Sequence, residues 1–226
     1  MVNEVLKRKM SGADPDQIPQ IYRLALAYAP GPSERDIFTL FALEAQFARF
    51  VSEANEPIIA QMRLAWWRDR FAEPVSDWPK GNPLLVRLSN WGEAARDLQG
   101  VVDGWEALLA ERPLGEFPIL AHAQGRAAGW LALAKHKGAG AQESAIASAA
   151  KRHALVEAAW HWLDEGDRTI ALDLARSLPK ADLRGKALKP LAVLDALAAK
   201  ALASDRAPLS RPTDLFVALR RGLLGR

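Results

Sequence analysis

The chain has 226 residues and a mass of 24.7 kDa; it is 50% hydrophobic and 25% charged, with no cysteine. That length supports a sizeable core and the composition excludes wholesale disorder. The missing cysteines exclude disulfide scaffolds, thiolate zinc sites, iron–sulfur clusters and cysteine nucleophiles.

Forty-two alanines against two tyrosines favour helix over strand, so an all-α fold is predicted. Residues 1–12 are short, charged and without an apolar central run, and no stretch approaches about 18 uninterrupted apolar residues. A cytoplasmic protein is therefore expected, with residues 1–13 a flexible N-terminus and residues 14–226 one helical domain. Proline and glycine divide that domain into about ten helices. Asp14-Pro15-Asp16 caps a first helix that ends at Pro30, and Ser33 with Asp36 resembles a capping box opening a helix to residue 54. Pro57 opens the next helix, which runs to residue 72 before Glu73-Pro74. After a loop over 73–83, helices are predicted at 84–98, 101–111, 118–136, 142–165, 168–178, 190–203 and 212–224.

The formal net charge is +3, and it is unevenly placed: from Asp167 onward, 12 Lys and Arg face 6 acidic residues. A basic C-terminal third suits phosphates, an anionic membrane or an acidic partner, and also a plainly solvated helix surface. No basic arm with interleaved aromatics occurs, so no nucleic-acid partner is expected. Within that third, the segment 215–224 is amphipathic, with Arg220, Arg221 and Arg226 beside Phe216, Leu219 and Leu223. It suits peripheral contact with an anionic bilayer or docking onto the domain.

Chemistry-bearing residues concentrate in two places. Phe38, Phe41, Ala42, Ala45, Ala48 and Arg49 recur at helical spacing, followed by Met62, Leu64, Trp66 and Trp67. Adjacent helical positions diverge by about 100°, which lets one indole face core and the other a cavity or interface, although two packed core aromatics explain the same spacing. Arg63 and Arg68 beside them suit an anion or the nearby Asp69 and Glu73. The second place is His153, Glu157, His161 and Glu165, spaced four apart along one helix face with Asp164 close by. Imidazole and carboxylate suit zinc or a similar ion, although a polar outer face explains the same stripe. Asp-x-x-x-Asp, the pairing that Mg²⁺–diphosphate chemistry uses, occurs nowhere. A P-loop, Gly-x-Gly-x-x-Gly, Gly-x-Ser-x-Gly and His-Glu-x-x-His are equally absent.

The segment Phe41-Ala-Leu-Glu-Ala-Gln-Phe-Ala-Arg, then Glu56-Pro57 and Met62-Arg-Leu-Ala-Trp-Trp-Arg-Asp69, resembles the squalene/phytoene synthase family. Asn82-Pro83-Leu84-Leu85, Val102-Asp103-Gly104-Trp105-Glu106 and Arg184-Gly185-Lys186 through Pro190 resemble its later parts in the same order. The resemblance implies the isoprenoid (terpenoid) synthase fold, and in active members head-to-head coupling of prenyl diphosphates by two aspartate-rich motifs and Mg²⁺. Aligned on these residues, the first motif falls near Gln46/Phe47 and Phe50/Val51, and the second at Ser177 and Ala181, so no metal-binding aspartate carries over. The departure is similar to the divergent branch that includes the complex I assembly factor of this family.

What the resemblance then implies is a non-catalytic protein without a cofactor. It would bind a prenyl or other lipid ligand, or a protein partner in respiratory-complex assembly, against a cavity lined by Phe47, Trp66 and Trp67. The alternative is an active prenyltransferase using Mg²⁺ on substitute acids, namely Glu44, Asp164, Glu165 or Asp167, with Arg63, Arg68, Arg184 and Lys186 holding phosphate. A third reading is a metal module on His153, Glu157 and His161.

Overall fold

A computed structural model describes residues 18–54 and 56–224, and within them every regular element is a helix. The expected flexible segment 1–13 and the Asp14-Pro15-Asp16 cap lie outside the described residues. The α-helices are α1 (Gln20–Leu26), α2 (Gly31–Glu53), α3 (Pro57–Ala72), α4 (Pro83–Leu88) and α5 (Gln99–Glu106). They continue with α6 (Glu116–His136), α7 (Glu143–His161), α8 (Glu165–Ser177), α9 (Lys189–Ser204) and α10 (Asp214–Leu224).

Local chemistry accounts for most boundaries. Pro57 begins α3 as expected, because a proline at the first helical position forfeits only an N–H that has no partner there. Asn82 caps α4 by accepting from the Leu84 and Leu85 N–H groups at 3.0 and 3.2 Å. The predicted Ser33/Asp36 capping box does not form. Helix α2 starts earlier, at Gly31 behind Pro30, and Asp36 instead accepts from the Trp91 indole at 3.2 Å and pairs with Lys137. The predicted 84–98 helix also divides: a 3-10 helix over Ser89–Leu98 follows α4, broken at Gly92, whose φ of +55° suits glycine alone. Finally, α7 ends at His161 rather than 165. Asp164 accepts from the Asp167 N–H at 2.9 Å and caps α8, so the acidic run that reads as a helix end is a helix start.

Helices α6 and α7 pack together at the centre. Helix α5 lies on the other flank of α6, and α8 and α9 lie on α7. Helix α3 packs on α5, and α10 closes over α9 and α1. The α5–α6 approach is close enough to demand glycine. A Cβ on Gly125 would sit 2.4 Å from the Gly100 carbonyl oxygen and 2.6 Å from the Gly104 Cα, which are backbone atoms. One continuous apolar core runs through these helices, from Tyr22 to Ala218. Into it α2, α6 and α7 each send charged side chains.

Candidate functional site

Arg126, on the face of α6 that also carries Ala123, Ala127 and Trp130, is buried between α2, α7 and α1. Its Nε lies 2.5 Å from Glu44 Oε2 of α2, and its Nη1 donates to Glu157 Oε2 of α7 at 2.8 Å. Its Nη2 donates to the Tyr22 hydroxyl at 2.5 Å, and that hydroxyl reaches the Glu157 carboxylate at 2.7 Å. Trp105 of α5 donates its indole N–H to Glu44 Oε2 at 2.7 Å and offers its ring face to the guanidinium at 5.1 Å. Five side chains from five helices thus meet in the interior, the Arg126 Nε–Glu44 contact being an ion pair without an aligned hydrogen bond.

Two imidazoles border this cluster. The His122 Nδ1–H donates to the Gly104 carbonyl at 3.0 Å, leaving Nε2 without a hydrogen bond among the described residues. His153 packs its ring edge-on to Tyr22, and neither nitrogen has a hydrogen bond among the described residues. Its Nε2 is 4.0 Å from Glu157 Oε2.

The electrostatics follow from burial and from one cation shared by two acids. Burial pushes Glu157 up, but Arg126, His153 and Tyr22 outweigh it and hold the carboxyl down to about 2. Burial pushes Glu44 up as well, and Arg126 and Trp105 offset only part of that, so its pKa stays raised. Burial lowers Arg126, yet Glu44, Tyr22 and Glu157 leave it more firmly charged than a free guanidinium. Burial, aided by Arg126, pushes His122 down to about 3. Burial also takes His153 down to about 4, against the pull of Glu157. Both imidazoles are therefore neutral in the folded protein at neutral pH.

The predicted site residues are distributed over this geometry as follows. Glu44, His153 and Glu157 converge on Arg126. His161 lies at the exposed end of α7, and Glu165 belongs to the next helix, so the predicted stripe of four does not share one helix. Its first half is buried against Tyr22 rather than forming a polar outer face. Among the described residues no three ligand-type side chains converge on a metal position. Asp164 is the α8 cap, Glu165 is exposed, and buried Asp167 accepts from the Leu114 and Gly115 N–H groups at 2.8 and 2.9 Å.

The candidate phosphate groups also separate. Arg68 bridges α3 to α5 through Asp103 at 2.8 Å and Glu106. Arg184 pairs with Asp182 at 2.6 Å, and exposed Lys186 lines a cleft of about 210 Å³ with Lys189 and Arg221. Arg63 lies over the Phe50 ring at 5.5 Å, and no ion pair joins it to a carboxylate among the described residues.

The paired tryptophans diverge. Trp67 is 1% exposed and meets Phe47 edge-on at 5.5 Å, whereas Trp66 is 40% exposed. Trp66 opens onto a cleft of about 320 Å³ lined by Gln46, Phe50, Met62, Arg63, Trp67 and Asn82. The wall is aromatic and apolar with one guanidinium and the Gln46 and Asn82 amides, and among the described residues no carboxylate belongs to it. Phe47 lies beneath, in the core.

Sequence reasoning missed Arg126, Tyr22, Trp105 and His122. A signal did exist: His122 and Arg126 are four apart on a face otherwise made of Gly, Ala and Trp. A charge on such a face needs internal partners. Comparison with family models, curated proteins and solved structures finds no match to this chain.

Proposed function

We propose that this chain is a non-catalytic squalene/phytoene synthase-like protein of the isoprenoid synthase fold. In this reading it binds an isoprenoid or comparable lipid chain at the Trp66 cleft and presents it, or itself, to a protein partner in the manner of a respiratory-complex assembly factor. One observation carries the proposal. The cleft offers Phe50, Met62 and Trp66 to an apolar chain and Arg63 to a polar or anionic head, with no carboxylate in its lining. Coupling prenyl diphosphates needs acids that hold Mg²⁺ against the departing phosphates. Three of the four substitute acids are otherwise employed, Glu44 on Arg126 and Trp105, Asp164 on a helix cap and Asp167 on two backbone N–H groups, and Glu165 is exposed at the start of α8, outside the cleft lining. What is left at the cleft can hold a ligand but supplies no group that would ionise it.

The test uses the purified chain with farnesyl or geranylgeranyl diphosphate, with and without Mg²⁺. Expected are quenching of tryptophan fluorescence, weakened by Trp66→Ala and by Arg63→Gln, and no coupled hydrocarbon. A Mg²⁺-dependent coupled product would establish the prenyltransferase reading instead. Absence of binding by either ligand would remove the lipid half of the proposal.

A further inference from the structure

Helix α10 packs Val217 against the core but leaves Leu215, Phe216, Leu219 and Leu223 exposed. What docks it is small: Ala218 is buried, and Gly222 is pressed so closely to the Tyr28 ring that a Cβ would come within 2.2 Å of it. Lys189 anchors the end of the helix by donating to the Gly222 carbonyl at 2.9 Å, and Asp214 secures its start by accepting from the Arg211 N–H at 3.1 Å. The helix is therefore held in place with Leu215, Phe216, Leu219 and Leu223 facing outward. Phe216 is 70% exposed and Leu223 66%. At about 100° per residue these four side chains share roughly 100° of the circumference, and exposed Arg220 lies about 40° beyond Phe216.

A charge pattern accompanies this ridge. From residue 206 to 224 there are four arginines and one acid, Asp214, which is buried. On the flank of α10 away from Leu215 and Leu219, Arg221 shares its cleft with Lys186 and Lys189. An outward apolar ridge bordered by exposed Arg220, in a segment of net positive charge, matches an anionic bilayer surface. There the side chains enter the acyl boundary while the arginines stay at headgroup level. A second copy of the chain would bring two such positively charged segments together, which disfavours self-association through this face.

We propose that α10 is a membrane-surface helix, seating the protein on anionic phospholipid through Phe216, Leu219 and Leu223 with Arg220 at the headgroups. This inference does not depend on the Trp66 cleft. The test is sedimentation of the full chain with vesicles of phosphatidylcholine alone and with roughly one third phosphatidylglycerol. Expected is binding to the anionic vesicles only, weakening as salt rises. Phe216→Glu/Leu223→Glu should abolish it while leaving the thermal midpoint unchanged, since both positions are exposed. Arg220→Glu should weaken it on the order of tenfold and reduce its salt dependence. Equal binding of the double variant, binding indifferent to lipid charge, or no sedimentation at low salt would each overturn the proposal. So would a dimer that Phe216→Glu abolishes when no vesicle binding is seen.

Discussion

Replacing Arg126 with methionine keeps length and apolar bulk but removes the only cation at the Glu44–Glu157 contact among the described residues. The wild-type pattern sets the scale. Holding Glu157 at about 2 rather than the ordinary 4.5 is worth about 3 kcal/mol at 1.36 kcal/mol per unit. The sign is that of a depressed acid: this stability is present above the ordinary carboxyl range and is lost as pH falls through about 2. Glu44 acts in the opposite sense, because a raised acid costs stability once it ionises. Without Arg126, both carboxylates stay buried with no guanidinium and only the Trp105 and Tyr22 donors beside them, and leaving a buried charge unpaired costs about 3–5 kcal/mol. The expected loss at pH 7 is of that size, on the order of 10 °C in Tm for a chain of this length. The loss should shrink as pH falls from 7 to 5, since both acids can then take up protons inside the fold. Adding Glu44→Gln to Arg126→Met should recover part of it at pH 7. Urea unfolding followed by tryptophan fluorescence, wild type against variant at each pH, measures this directly. A loss below about 1 kcal/mol, or one that does not change with pH, would refute the reasoning.

Three further outcomes are expected. Because His122 and His153 are held down to about 3 and about 4, the unfolded chain takes up protons below its ordinary value near 6.5 while the folded chain does not. Stability therefore falls with acidification, by about 2 kcal/mol per imidazole between pH 6.5 and 5, and His153→Leu should halve that slope in urea titrations. Gly125→Ala gains helix propensity but drives a methyl into the α5 backbone, so thermal melts should show a net loss of about 2 kcal/mol, whereas Gly81→Ala, with open space around it, should be neutral. Trp67→Ala should cost about 3–5 kcal/mol as a core truncation, and Trp66→Ala less than about 1, with ligand quenching lost only in a protein that still melts normally.

The helical architecture was legible because its signals are local. Pro57, the Glu73-Pro74 stop and the Lys137-Gly138 break act within one turn, and the structure places boundaries at or near each. The errors also have local causes. Ser33 has the right chemistry for a cap, but Gly31 and Pro32 already suit a first turn, so the helix begins before it. The predicted break between 165 and 168 falls inside α8, because Asp164 and Asp167 supply the cap and first-turn charge that favour a start there.

The interior site was only half legible, for a reason that spacing cannot remove. Periodicity groups residues on one face of a helix but does not say whether that face meets water or another helix. His153 and Glu157 satisfy a metal-stripe pattern and a solvated-face pattern equally well. What decides between them is Arg126, on a different helix and thirty-one positions from Glu157. The same argument applies to Glu44, whose partners Trp105 and Arg126 come from α5 and α6. A guanidinium occupying the space between two buried carboxylates satisfies them without a metal ion and fixes three helices relative to one another. Glu44 and Glu157, two of the acids that sequence suggested for chemistry, are thereby committed to cohesion. Arg63, by contrast, sits at the surface over an aromatic ring, with no carboxylate partner among the described residues. That contrast moves the search for a ligand from the centre of the bundle to the Trp66 cleft.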